Sequence, residues 1–247
     1  SNTPLWNYTA GNIVVSVSIS ADGEYIAAGS YDNKVYLFSK DNSTPLWNYT
    51  TEDYVFSVEI SADGEYIVVG SGDDNIYLFD RNNSTPLWNY TTKWDTESVA
   101  ISADGEYIAM EGQTEEGRSH VYLFNKDNNT PLWDFWDDAW NSVNSVAISA
   151  DGEYITVGSG HSGDGGRVYL FDKDSSTPLW SYAASDKIRR IAISADGEYI
   201  VAGSDDYKVY LFDKDSSTPL WNHTTEGEVY TVAISADGEY IVAAGLV

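Results

Sequence analysis

Three tryptophans stand outside any repeated place in this chain, and carboxylates lie close to each: Trp94 with Asp95, and Trp136 and Trp140 around Asp137 and Asp138. An indole face stacks on a sugar ring or a cation, and a carboxylate beside it accepts hydrogen bonds or balances charge. These six residues are therefore candidates for gripping a protein, peptide or glycan. The competing reading makes them caps over a hydrophobic groove between structural units. A second set sits four residues before an isoleucine that recurs six times: Val15, Phe56, Glu97, Asn144, Arg189 and Tyr230. Arg190 follows Arg189 where the other five copies have Ser or Thr, and Lys187 is near. In so acidic a chain this cationic spot suits first an internal salt bridge, and as the alternative a bound carboxylate or phosphate.

Other chemistries lack their residues. His120, His161 and His223 are the only histidines, none has a partner at zinc-ligand spacing, and there is no cysteine. Pairs such as Asp172–Asp174 and Asp205–Asp206 are common turn residues and lack the twelve-residue spacing of an EF-hand. No glycine-rich loop leads from a strand into a helix. Catalytic, metal and cofactor-binding residues are accordingly read as none.

Thirty-nine acidic residues against thirteen basic ones leave a net charge of −26. Such a field repels nucleic acid and anionic membranes, and no apolar run reaches the roughly 20 residues of a membrane-spanning helix. Twelve of the carboxylates come from six copies of Asp-Gly-Glu, so much of the acidity was copied with a module. The chain opens in mid-repeat and its single methionine is Met110, the pattern of a piece of a longer protein. Sequons at Asn7, Asn42, Asn48, Asn82, Asn83, Asn89, Asn128 and Asn222 lean toward an extracellular or cell-surface address.

What must position the candidates is the module itself. SADGEYI begins at Ser20, Ser61, Ser102, Ser149, Ser194 and Ser235, at spacings of 41, 41, 47, 45 and 41 residues. Each repeat reads as four strands. VFSVEIS (Val55 to Ser61) alternates, a Gly-containing turn follows, and YIVVG (Tyr66 to Gly70) is apolar throughout. IYLF (Ile76 to Phe79) is the third, and PLWNY (Pro86 to Tyr90) starts with the proline of an edge. PLW recurs six times, placing Trp6, Trp47, Trp88, Trp133, Trp180 and Trp221 to pack against the neighbouring unit. No stretch has a helical period.

A period near 40–45 residues with four strands per repeat marks a β-propeller blade. The repeat resembles the WD-repeat propellers: SADG stands at their first hairpin and YLFD where they carry Trp-Asp. Phe212 to Trp221 (FDKDSSTPLW) is similar to the tryptophan-docking segment of quinoprotein-type propellers, and the pattern is close to archaeal surface-layer repeats. Only the packing motif matches, so no quinone-binding residue is carried over. The expectation is one all-β domain over 1–247, a six-bladed propeller. Its closing blade is made from 1–9 plus 228–247 and lacks one strand. Two strand edges would then face a gap, inviting self-association.

The SADGEY and third-to-outer turns hardly differ among copies, whereas the outer-to-first and second-to-third connections do. The longest of these are Glu111–His120 and Ser159–Arg167. Both kinds lie on one face of the disc, where binding residues gather. The expected role is a non-catalytic binding or scaffold module using that face. The alternatives are an enzyme with its site at the channel mouth, and a unit that assembles through its incomplete blade.

Overall fold

The computed structural model describes residues 3–113, 119–136 and 142–246, and its regular structure is entirely β. Blade 1 is β1 (Val14–Ile19), β2 (Tyr25–Ser30), β3 (Lys34–Ser39) and β4 (Trp47–Thr50). Blade 2 is β5 (Val55–Ile60), β6 (Tyr66–Ser71), β7 (Asn75–Asp80) and β8 (Trp88–Thr91). Blade 3 follows as β9 (Val99–Ile101), β10 (Tyr107–Gln113), β11 (Ser119–Asn125) and β12 (Trp133–Trp136). Blade 4 is β13 (Val143–Ile148), β14 (Tyr154–His161), β15 (Gly165–Asp172) and β16 (Trp180–Ala184). Blade 5 is β17 (Ile188–Ile193), β18 (Tyr199–Ser204), β19 (Lys208–Asp213) and β20 (Trp221–Thr224), and blade 6 holds β21 (Val229–Ile234) and β22 (Ile241–Gly245). Each of the first five is an antiparallel sheet in chain order, and the sixth is a two-stranded ribbon. First strands pack on first strands in succession from β1 to β21. The architecture is the six-bladed β-propeller that the repeat implied.

The SADGEY turn is the same small machine each time. Asp22 accepts the Ser20 hydroxyl at 2.6 Å and the Glu24 amide at 2.9 Å, while Ser20 Oγ accepts the Tyr25 amide at 3.1 Å. Across blades, the Ala21 amide donates to the Ala62 carbonyl at 2.9 Å, and the same bond links Ala62, Ala103, Ala150, Ala195 and Ala236 in turn. The invariance of the motif thus serves both the hairpin and the ring.

The core lies between blades. Ala27, Val35 and Leu37 of blade 1 meet Val55, Val58, Ile67, Val69 and Phe79 of blade 2, and the pattern repeats around the ring. Five of the six repeated tryptophans bridge such a seam: Trp47 lies 5.4 Å from the Phe79 ring and its indole N–H donates to the Arg81 carbonyl at 2.6 Å. Trp6, Trp88, Trp133 and Trp180 do the same toward Lys40, Lys126, Lys173 and Lys214. Asp32, Asp73 and Asp206 replace the absent Trp-Asp network, accepting the hydroxyls of Tyr36, Tyr77 and Tyr210 at 2.6, 2.7 and 2.6 Å.

The seam between blades 6 and 1 differs. Residues 3–9 carry no strand, and Trp6 packs on Phe38 of blade 1 rather than entering the sheet of β21 and β22. Residues 3–9 thus dock apart from the ribbon of β21 and β22, where the expectation was one closing blade shared by both termini. Val17 and Val242 are 67% and 68% exposed although their counterparts elsewhere are buried, and Ile19 is 60% exposed where the other copies are buried or half-buried. At a closed seam the SADGEY tyrosine packs on the next blade's turn glycine. A Cβ on Gly197 would sit 2.6 Å from Tyr154, whereas one on Gly23 would meet nothing within 4 Å.

That difference is measurable. Both glycines have left-handed φ, 72° and 74°. Gly23→Ala should cost only that backbone strain, about 1 kcal/mol. Gly197→Ala should cost about 3 kcal/mol, because the methyl group also displaces a packed tyrosine. Denaturant midpoints of the two variants test this, and equal losses would mean that the blade 4–5 seam yields freely.

Candidate functional site

The second strand of blades 1, 2, 4 and 5 carries a glycine at Gly29, Gly70, Gly158 and Gly203. These admit the next blade's residues: a Cβ on Gly29 would come within 2.6 Å of Val55, and one on Gly158 within 2.6 Å of Ile188. Blade 3 has Glu111 at this place, 4% exposed. With a carboxylate there, the blade 3–4 seam opens into a pocket of about 310 Å³. Trp94, Asp95 and Glu97 of the β8–β9 connection line it. Facing them are Ser142 and Asn144 at the start of blade 4, His161 at the end of β14, and Lys187 just before β17. All of them come from outer-to-first connections or second-strand ends, which meet on one face.

Glu111 is the unusual group. Its carboxylate accepts the Glu97 amide at 2.6 Å. Burial pushes its pKa up to about 8, and the negative charges of Glu97 and Asp95 act in the same direction against the two backbone amides. Asp95 is also raised, first by burial and then by Asp74 and Asp53. Across the pocket His161 Nε2 lies 3.1 Å from Ser142 Oγ. Trp94 is 57% exposed at the rim. The site therefore offers one aromatic face, three carboxyls of which Glu111 and Asp95 are pushed up by burial, and one lysine.

The variable position before each first-strand isoleucine is a β-bulge in five blades, with register shifts between Val14 and Ser16, Val55 and Ser57, Val143 and Ser145, Ile188 and Arg190, and Val229 and Thr231. A bulged residue is spared the ladder and its side chain is re-aimed, so its type is free to differ. The candidates at this position nevertheless have separate fates. Glu97 reaches the pocket. Asn144 is a brace, donating to the carbonyls of Ser142, Gly160 and Ile188 at 3.2, 3.0 and 3.1 Å. Arg189 is held by Asp205 and by Glu228, the latter at 2.9 Å, with its guanidinium 4.5 Å over the Tyr230 ring. Of the two sequence readings, the internal salt bridge describes Arg189.

Arg190 points elsewhere, into the central channel, a cavity of about 360 Å³ lined by first strands. Its neighbour there is Glu59, whose carboxylate accepts the Ile101 amide at 2.9 Å. Burial raises the Glu59 pKa to about 7, opposed by that bond and by Arg190. Ser16, Ser57, Ser98 and Ser145 accept amides from the next blade's first strand at 3.1, 3.4, 3.1 and 3.3 Å. The channel serines are thus stitches.

Trp136 does not line the Trp94 pocket. It ends β12 and stacks on His120, 5.2 Å between centroids at 22°, while His120 Nδ1 lies 3.0 Å from Asp134 Oδ2. Asp137, Asp138 and Trp140 lie outside the described residues. The long second-to-third connections are largely strand: β14 pairs with β15 as far as His161 opposite Gly165, and β10 with β11 as far as Gln113 opposite Ser119. Sequence reasoning did not single out Glu111. Its signal was a glutamate where four other repeats have glycine, readable by laying the copies side by side. Among the described residues no group of three or more His, Asp or Glu is placed to hold a metal ion.

Residues 117–247, just over half of the chain, match the family model described as PQQ_2, outer membrane protein assembly factor BamB. Residues 2–39 and 43–80 match the WD domain, G-beta repeat. Each WD match runs from an outer-strand segment to the end of the next third strand, at Ser39 and Asp80, so the sequence repeat is offset from the blade. No curated protein matches the chain. Repeats of these two kinds build propellers with interaction or scaffold roles.

Proposed function

We propose, for a chain that belongs to the PQQ_2 family of BamB-like quinoprotein repeats, a non-catalytic scaffold that binds a protein partner through the face bearing the Trp94 pocket. The observation that carries this is the pocket itself: it is assembled from residues that break the repeat, on a scaffold otherwise copied nearly word for word. Rigid repeats with one individual patch are suited to recognition, since the patch is presented without ordering cost. Trp94 beside Asp95 and Glu97 suits a lysine or arginine side chain of the partner, by cation–π contact and charge. An outer-membrane assembly factor is what the matched family model describes; the proposal takes from it only the role of an interaction platform. The address proposed with it is extracellular or cell-surface, supported by sequon asparagines such as Asn42, Asn83 and Asn128, which are exposed.

A peptide and glycan array probed with the wild type and Trp94→Ala tests the reading. Basic peptides should bind, weaken with salt, and lose about tenfold or more in affinity on Trp94→Ala, in line with removal of an aromatic anchor. Hits that the variant retains would place the site off this pocket. A second reading, an enzyme at the channel mouth, draws on Glu111, since raised carboxyl pKa values cluster at catalytic sites. Turnover of a bound ligand that Glu111→Gln abolishes, with binding kept, would select it.

A further inference from the structure

Of the cationic group that stands out in the sequence, two members are accounted for: Arg189 is held by Asp205 and Glu228, and Arg190 faces the central channel. Lys187 remains, and it lines the Trp94 pocket. Its main chain is pinned. The Lys187 amide donates to Asp186 Oδ1 at 2.7 Å, and the Lys187 carbonyl accepts the Asp205 amide at 2.9 Å. Asp186 Oδ1 also takes the Gly163 amide at 2.8 Å, which ties the β14–β15 hairpin to the same point. Gly160 lets that hairpin close on the lysine, since a Cβ there would lie 3.0 Å from the Lys187 Cα. The side chain is treated differently. Lys40, Lys126, Lys173 and Lys214 pair with Glu24, Glu106, Glu153 and Glu198, whereas the Lys187 ammonium makes no ion pair among the described residues. In a chain of 39 acidic residues, an ammonium held half-buried against a cavity with no carboxylate beside it is aimed at an anion from outside.

The pocket thus has walls of opposite charge. Blade 3 brings Trp94, Asp95 and Glu97, which suit a cation, and the entry to blade 5 brings Lys187, which suits a carboxylate. Burial keeps the Glu111 carboxyl protonated up to about pH 8, so it does not repel an anion at neutral pH. His161 is engaged with Ser142. We propose, resting on the reading of this pocket as a site for basic partners, that it takes the C-terminal arginine or lysine of a partner polypeptide, with the side chain against Trp94, Asp95 and Glu97 and the terminal carboxylate on Lys187. A cavity of about 310 Å³ has room for one long residue and not for a folded segment. Only a chain end puts both charges on a single residue. An internal arginine or lysine satisfies the acidic wall alone and leaves Lys187 bare.

The experiment measures fluorescence anisotropy of the 247-residue chain with fluorescein-Gly-Ser-Gly-Ser-Arg, as the free acid and as the C-terminal amide. The acid should bind saturably and at least tenfold more tightly than the amide. Lys187→Met keeps the aliphatic stem and removes the charge, and it should bring the two forms to the same affinity. Trp94→Ala should weaken both. Equal binding of acid and amide by the wild type, or a preference that survives Lys187→Met, overturns the proposal and leaves the basic-partner reading standing. If neither form binds at millimolar peptide, that reading falls and the proposal with it. Free arginine that competes on equal terms with the peptide would assign the pocket to an amino acid instead of a chain end, which also overturns it.

Discussion

Trp47→Ala should lower stability by about 3 kcal/mol, and Trp221→Ala by less than about 1, although the two residues occupy the same place in the repeat. Trp47 is locked into a seam: its ring lies on Phe79, its indole hydrogen bond ends on Arg81, and Tyr49 packs beside it on the same phenylalanine at 5.2 Å. Truncation removes a large apolar surface and leaves a cavity that two rigid sheets cannot close. The Arg81 carbonyl also loses its donor, a further penalty of order 1 kcal/mol. Trp221 has no third strand against it, so its truncation exposes little that water does not already reach. Guanidinium titrations followed by circular dichroism give both values, and coincidence with a second probe shows whether the ring unfolds in one step. Equal losses would mean that Trp221 is as well covered as Trp47.

Raising pH from 5 to 9 should destabilise the protein, and Glu111→Gln should remove most of that slope. Burial pushes the folded Glu111 carboxyl up to about 8, against 4.5 for an ordinary glutamate. Between those values the folded state holds a proton that the unfolded chain has released, so stability falls as pH rises. The contribution is full below about 4.5 and lost once pH passes about 8. A separation of about three and a half pH units corresponds to a loss on the order of 5 kcal/mol. Glu59, near 7, acts in the same direction, but it is half-buried beside a channel open to water and its share is smaller. Glutamine keeps an oxygen for the Glu97 amide and has no proton to lose, so the variant's midpoint should stay nearly level from pH 6 to 9. Wild-type and variant curves that run parallel would show that Glu111 is ionised throughout.

Much of this was written in local sequence. A propeller blade is a chain of hairpins, so turn residues and apolar alternation specify its strands one after another, and six copies of the motif set the number of blades. The docking of Trp47 on its neighbour was legible for the same reason, since identical modules stacked side by side must repeat whatever contact they make. Where residues from different repeats meet, the sequence was a poorer guide. For Arg189 the sequence offered an internal salt bridge or an external anion but named no partner, and Asp205 and Glu228 close on it from positions 16 and 39 residues away. Asn144 was among the candidate binding residues, and a bulge turned it onto three carbonyls. Trp94 and Trp136 were candidates for one binding surface, but Trp94 lines the pocket whereas Trp136 stacks on His120.

The amino-acid sequence by itself determined the all-β class, the blades, the turns and the tryptophan stitching, because these depend on contacts that recur at the period of the repeat. Only the tertiary structure decided that a buried glutamate opens the blade 3–4 seam, that the cationic pair is split between a salt bridge and the channel, and that blades 6 and 1 stand apart. Those outcomes depend on single side chains meeting across seams, and such meetings leave no period in the chain.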